Sequence, residues 1–423
     1  METCRAFYSI GVPFLLRQKV SLNNEAALES FCSFLFAVSP SPSNRPRLLR
    51  DLHFSDDLAK KESSTILRVL SGATHLRSLD IFLPHPAPEF RNVLTGYTNL
   101  RELEINLESG ETATEVLGWF EKIRSPIDTL TICFLPSPNR AVLPSISSLA
   151  GTLKSLTLHC AIIDTIDAKF EFPHVQQLCL SQSFRPSGYF PPSAAIIFRL
   201  FPNLELLTLP DNSRDGSPPI NYENRVQEAT DFGVHRKHLK RLEGCLTELS
   251  LGGYNCFVDE LYLRINDCWE WDGDKASFLL SQARPSVFHL DFFDEFPSVD
   301  MIPIIEAVPS LGSFKELSIS LQTVHPDDAV FADITRSLPE ALRGVDTETL
   351  VLEFLWHIPL DDTESPFLMH EFDIEELFLQ VHAVARKPRT IIIQPHYTRK
   401  TIFDVPVDFV ESVRRKRLDE IAE

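Results

Sequence analysis

The residues in this chain best suited to chemistry are two histidines, three cysteines and a recurring set of carboxylates. His235 and His238, in HRKH, stand upstream of Cys245, Cys256 and Cys268. Imidazole nitrogen and thiolate sulfur are the ligand types of zinc, but these spacings match no known zinc knuckle. The DGD within NDCWEWDGD (266–274) lacks the alternating oxygen ligands of a calcium loop. The sequence has no GxSxG, no GxGxxG following a strand, no P-loop and no HExxH. The expectation is a protein that is not an enzyme and has no metal or cofactor.

The carboxylates differ from these sets because they recur in a pattern. FPHVQQLCLS begins at Phe172 and FPNLELLTLP at Phe201, placing Leu178 and Leu207 29 residues apart. The same apolar-x-x-Leu-x-apolar line is found around Leu52, Leu79, Leu103, Leu130, Leu156, Leu249, Leu261, Leu290, Leu317, Leu350 and Leu377, with a worn first copy, KVSL, around Val20. From Leu52 onward most steps are 22 to 29 residues, with longer ones at 207 to 249 and 317 to 350 and a short one at 249 to 261. A period of this size with LxxLxL at its heart is the signature of a leucine-rich-repeat solenoid of about 13 repeats.

The elements that position the carboxylates follow from this period. LxxLxL is a short strand whose alternate side chains point inward, and each return must bring the chain back one parallel strand further on. Helices are expected in the returns at 113–123 and 193–201, the second with Ser193 as N-cap. The Phe-Pro step ends a helix and launches the next strand. The predicted fold class is therefore α/β, a horseshoe solenoid with a parallel concave sheet and helices on the convex side. It is expected to span residues 23–395, with an N-terminal cap over 1–22, an insertion at 210–245 and a charged C-terminal segment over 396–423.

The third and fifth places of the motif face out of the concave sheet. Read down the series they give Asp51, Asp80, Glu102, Glu104, Glu248, Glu260, Tyr262, Asp291, Glu316 and Glu376, with no Lys or Arg among them. Like charges on neighbouring strands destabilise a sheet, so fold stability does not select this pattern. The acids read either as a face for a basic protein partner or as the solvated face of an acidic chain. Arg50, Arg77, Arg101, Lys154 and Lys315, at the second place, offer basic groups that could neutralise part of that charge.

Two loops are further candidates. The insertion opens with turn residues and continues into a predicted basic helix containing Arg236 and Lys237. That helix reads as a partner contact or as a solvated face. Trp269 and Trp271 read as interface anchors or as side chains packed under a loop.

Composition narrows the setting. Of 423 residues, 43% are hydrophobic and 23% charged, which suits a protein with a sizeable core. The net charge of -19 disfavours a nucleic-acid partner. No apolar run approaches the ~20 residues of a membrane span. The eight cysteines are scattered, several within strand-like runs, which points to a reducing, cytoplasmic or nuclear setting.

The N-terminus carries a family resemblance. TCRAFYSIGVPFLLRQKVSL (3–22) resembles the end of an F-box, with Cys4, Phe7 and Tyr8 on a helix and Leu15 and Leu16 leading into the first strand. Together with the repeats it resembles fungal F-box-like leucine-rich-repeat proteins. That resemblance implies the substrate-recognition part of a ubiquitin ligase, docking a Skp-type adaptor and a cullin. The leading Leu-Pro-x-Glu segment of an F-box has no counterpart before Cys4, so the alternatives are a truncated or lost box, or a simple cap on the first repeat.

Overall fold

The computed structural model describes residues 11–37, 45–83, 88–107, 111–134, 142–159, 163, 170–181, 192–209, 222–265, 272–294, 301–323, 328–358, 374–385, 388 and 390–399. They form two compact units, residues 1–192 with 196–204 and residues 193–195 with 205–423. Each unit is an α/β solenoid of the leucine-rich-repeat type. No helix among the described residues is long and apolar enough to cross a membrane.

The first unit begins with a helix over residues 11–16 (α1) and then runs through seven strands in chain order. These are β1 (Lys19–Leu22), β2 (Asp51–Phe54), β3 (Ser78–Leu83), β4 (Glu102–Leu107), β5 (Thr129–Phe134), β6 (Ser155–His159) and β7 (Gln177–Ser181). Each pairs in parallel with the next. Val20, Leu52, Leu79, Leu103, Leu130, Leu156 and Leu178 occupy one register row, as the period predicts. Leu52 through Leu178 in that row are at most 2% exposed. Burial of this row, against returns such as α4 (Ser63–Gly72), α5 (Pro88–Gly96) and α6 (Glu111–Phe120), makes the core. The helix expected at 113–123 is thus α6, and the one at 193–201 is α7 (Ala194–Leu200).

Consecutive repeats are tied through their returns as well as their strands. The Phe172 and Phe201 rings of the twice-written line lie 5.6 Å apart, and the Asn203 amide donates to the Pro173 carbonyl at 2.8 Å. The buried Tyr97 hydroxyl donates to the Leu70 carbonyl, one return back, at 2.8 Å. One short helix departs from the pattern. α3 (Asp56–Lys61) packs on β3, with Lys60 Nζ 4.8 Å over the Phe82 ring.

The second unit also has seven parallel strands in chain order: β8 (Leu206–Thr208), β9 (His238–Cys245), β10 (Phe257–Ile265), β11 (Val287–Asp294), β12 (Ser313–Thr323), β13 (Asp346–Ile358) and β14 (Thr390–Arg399). Its helices are α8 (Tyr222–Phe232), α9 (Leu246–Gly252), α10 (Gly273–Ala283), α11 (Met301–Leu311), α12 (Asp328–Ala341) and α13 (Ile374–Val384). The inward row is Leu207, Leu242, Leu261, Phe288, Leu317, Leu350 and Ile391.

This row corrects the sequence reading in four places. LTELSL (246–251) is helix α9, and IEELFL is the start of helix α13. In both, the first and fourth places of the motif also satisfy the i, i+3 spacing of a helix, and the short step from Leu242 to Leu261 leaves room for one small helix. The strands that fill these places are β9, around Leu242, and β14, around Ile391. In β11 the row passes through Phe288, two residues before Leu290, so the same face stays inward. The predicted basic helix does not form: Val234–Arg236 is a single 3₁₀ turn, and His238 opens β9. Gly233 and Gly253, with φ of 74° and 73°, bracket this rearranged stretch, ending α8 and α9 in the left-handed conformation.

Candidate functional site

The candidate site is the sheet face of each unit that does not carry the inward leucines. In the first unit one outward row reads Lys19, Asp51, Ser78, Glu102, Thr129, Ser155 and Gln177. The next reads Ser21, His53, Asp80, Glu104, Thr131, Thr157 and Cys179. Asp51, Asp80, Glu102 and Glu104 thus lie on this face, where the motif placed them. Each of the first two has a basic neighbour one strand back. His53 Nδ1 and Asp80 Oδ2 are 2.5 Å apart, and Lys19 is the register partner of Asp51. Glu104 is less well compensated. Partial burial pushes its carboxyl up, the adjacent Asp80 adds to the shift, and His53 and Lys19 oppose it.

In the second unit the outward row is Thr208, Glu243, Tyr262, His289, Ser318, Val351 and Ile392, flanked by Arg241, Glu260, Val287 and Glu316 on one side and Arg264, Asp291, Ser320 and Glu353 on the other. Its centre is a stack of three flat groups on three adjacent strands. The Arg241 guanidinium carbon sits 3.8 Å over the Tyr262 ring, and Tyr262 stacks on His289 at 3.9 Å with 9° between planes. Glu243, a tenth exposed, accepts from Arg241 at 2.9 Å and from Arg264, so a buried carboxylate is held between two guanidiniums. Burial, aided by Arg241, pulls the His289 imidazole down to about 4 and keeps it neutral at pH 7. Burial also raises the Tyr262 phenol. The result is a rigid aromatic patch with Glu260, Asp291 and Glu316 around it.

Four of the residues singled out from the sequence lie elsewhere in the described structure. Glu248 is in α9 and 2% exposed, so it presents no carboxylate to a partner on this face. Glu376 is exposed on α13, where it accepts from Gln380 at 2.9 Å. Arg236 is exposed on the 3₁₀ turn, and Lys237 joins that turn to β9. Trp269, Trp271, Cys4, Phe7 and Tyr8 fall outside the described residues. Leu15 is 63% exposed and Leu16 only 2%, which divides the pair between the solvent and core sides of α1. Among the described residues no cluster of three His, Cys, Asp or Glu side chains could hold a metal ion.

Arg241, Glu243 and His289 were missed because the motif reading placed strands at 246–251 instead of 238–245 and centred β11 on Leu290. HLKRLEG does carry the signal, an apolar residue at 239 and leucine at 242. A glycine, Gly244, stands where the last apolar residue belongs.

No family model matches the chain, and no curated protein matches it. Among solved structures, the leucine-rich repeat-containing protein LegL7 from Legionella pneumophila aligns over 87% of this chain and 91% of its own, with 13% identity and a TM-score of 0.29.

Proposed function

We propose that this chain is a non-enzymatic scaffold that holds another protein against the outward face of its sheet. The observation that carries the reading is the Arg241–Tyr262–His289 stack. Aromatic and arginine side chains already fixed in place lose little freedom on binding, and such groups dominate the energetics of protein interfaces. The carboxylates around the stack, Glu260, Asp291 and Glu316, select a partner with a basic surface. A chain tagged at one end and expressed in its native host should co-purify with a defined set of proteins, and Glu260→Lys/Glu316→Lys should lose them. Retention of the same set by the double variant would contradict the reading.

A finer reading makes the scaffold the substrate-recognition part of an F-box-type ubiquitin ligase. Its support is the resemblance of residues 3–22 and the pair Phe14 and Leu15, 65% and 63% exposed at the end of α1. An adaptor that docks there would bury both. Recovery of a Skp-type adaptor and a cullin by the wild type, lost with Phe14→Ser/Leu15→Ser, is the expected result. A partner set without either protein would leave a free-standing scaffold with no ubiquitin role.

A further inference from the structure

The residue just before each strand forms a second ladder at the rim of the sheet. In the first unit the Arg77 amide donates to the Arg50 carbonyl at 2.7 Å and the Arg101 amide to the Arg77 carbonyl at 2.7 Å. Asp128 then donates to Arg101 at 2.9 Å, and Lys154 to Asp128 at 2.8 Å. Three arginines therefore occupy consecutive rungs, with a lysine two rungs on and Arg17 close enough to act on Arg50. Arg17, Arg77, Arg101 and Lys154 are exposed and Arg50 is half-buried. None of the five forms an ion pair with a described carboxylate. Burial first, and then the like charges of Arg17 and Arg77, make the Arg50 guanidinium give up its proton more readily, against the opposing pull of Asp51.

In the second unit the same rim alternates acids and bases. There the ladder runs Glu205, Lys240, then Asp259, Ser286 and Lys315. Lys240 forms an ion pair with Glu205 at 2.6 Å, and Asp259 is hydrogen-bonded to His238 at 2.8 Å. The ridge of the first unit, whose guanidiniums reach backbone carbonyls but no described carboxylate, is thus not a requirement of the fold, and it stands on a chain of net charge -19.

We infer that the Arg50–Arg77–Arg101 ridge, extended by Arg17 and Lys154, is a docking surface for an acidic helix of a partner protein. Charge complementarity calls for carboxylates. Rungs recur every ~4.8 Å, close to the ~5–6 Å between helix positions three and four residues apart. Same-face side chains of an extended strand are ~6.6 Å apart and drift out of step with the rungs. A polyanion such as nucleic acid matches the ridge in sign but is repelled by the rest of the chain. The inference is independent of the proposed role of the stack around Tyr262, since the ridge lies wholly in the first unit.

The test is fluorescence anisotropy at low salt with the full chain and a labelled helical peptide carrying Glu at every third and fourth position. The wild type is expected to bind it. Arg77→Gln/Arg101→Gln should bind roughly three- to tenfold more weakly, from the modest strength of exposed ion pairs. Lys122→Gln, an exposed change elsewhere in the same unit, should bind as the wild type does. A proline-broken peptide of equal charge should bind more weakly. The inference is overturned if the double variant binds as tightly as the wild type. It is equally overturned if the broken peptide matches the helical one, or if a single-stranded oligonucleotide of matched charge binds more tightly than either.

Discussion

Arg241 lies 3.8 Å over the ring of Tyr262, and the same guanidinium donates to the Glu243 carboxylate at 2.9 Å. One side chain thereby fixes an aromatic ring and a buried carboxylate on neighbouring strands. Tyr262 is clamped from its other side by His289, so it is pre-placed at the middle of the outward face.

If Tyr262 is an anchor, its truncation should remove affinity and spare the fold. Tyr262→Ala is expected to weaken capture of the co-purifying partner by about tenfold or more, the loss typical of a buried aromatic hot spot. Far-UV circular dichroism should be unchanged. Binding that survives the change would place the contact elsewhere.

The neutral state of His289 gives a pH dependence. Its folded value of about 4 lies below the ~6.5 of an unfolded histidine. As pH falls between these values the unfolded chain takes up a proton that the folded chain refuses, so stability present at neutral pH is lost through this window and levels off below it. Urea midpoints measured from pH 7 to pH 4 should therefore decline, and His289→Gln should make the decline shallower. An unaltered slope would mean that His289 is not held neutral.

Glu104 provides a prediction of opposite sign. Its carboxyl is pushed up by burial and by Asp80 across the strand pair. The folded state holds that proton more tightly than the unfolded one, so ionisation at pH 7 costs stability. Glu104→Gln should raise stability by roughly 0.2–1 kcal/mol, the size of a single cross-strand side-chain interaction in a sheet. Thermal melts at pH 7 check it. A fall in melting temperature would show that the carboxylate is stabilised by its neighbours.

Packing between α4 and the preceding 3₁₀ turn, Arg45–Leu48, makes Gly72 sensitive. A Cβ there would sit 2.8 Å from Pro46 Cβ, and a proline ring yields little. Gly72→Ala should destabilise the first unit by about 1–3 kcal/mol, as overpacking generally does. Gly151, whose Cβ would meet nothing within 4 Å, should tolerate the same change.

The sequence was most legible where one interpretation of each residue survived. In the first unit the strands sit where LxxLxL falls, because the 22- to 29-residue steps exclude other spacings, and Asp51, Asp80, Glu102 and Glu104 came with them. Legibility failed where leucines three apart suited helix and strand alike. Leu246 and Leu249 line the buried side of α9 as well as they would fill a strand, and Leu377, Phe378 and Val381 do the same in α13. The site's own stack was hidden for a different reason. Tyr262 was visible as an outward place, but Arg241 became its neighbour only through the register of β9, and register is a tertiary property. The short helix α3 has no place in a regular repeat, and its contact with Phe82 depends on a chain reversal that the period does not encode.

The most direct test of the central claim is site-specific photo-crosslinking in the native host. One chain would carry the photoreactive residue at Glu260, on the outward face beside Tyr262, and another at Leu379, 60% exposed on α13. A scaffold that binds through the sheet should yield a discrete adduct of one partner from position 260 and none from position 379. The reverse result, an adduct from the helix alone, would contradict the account and move the binding surface off the sheet.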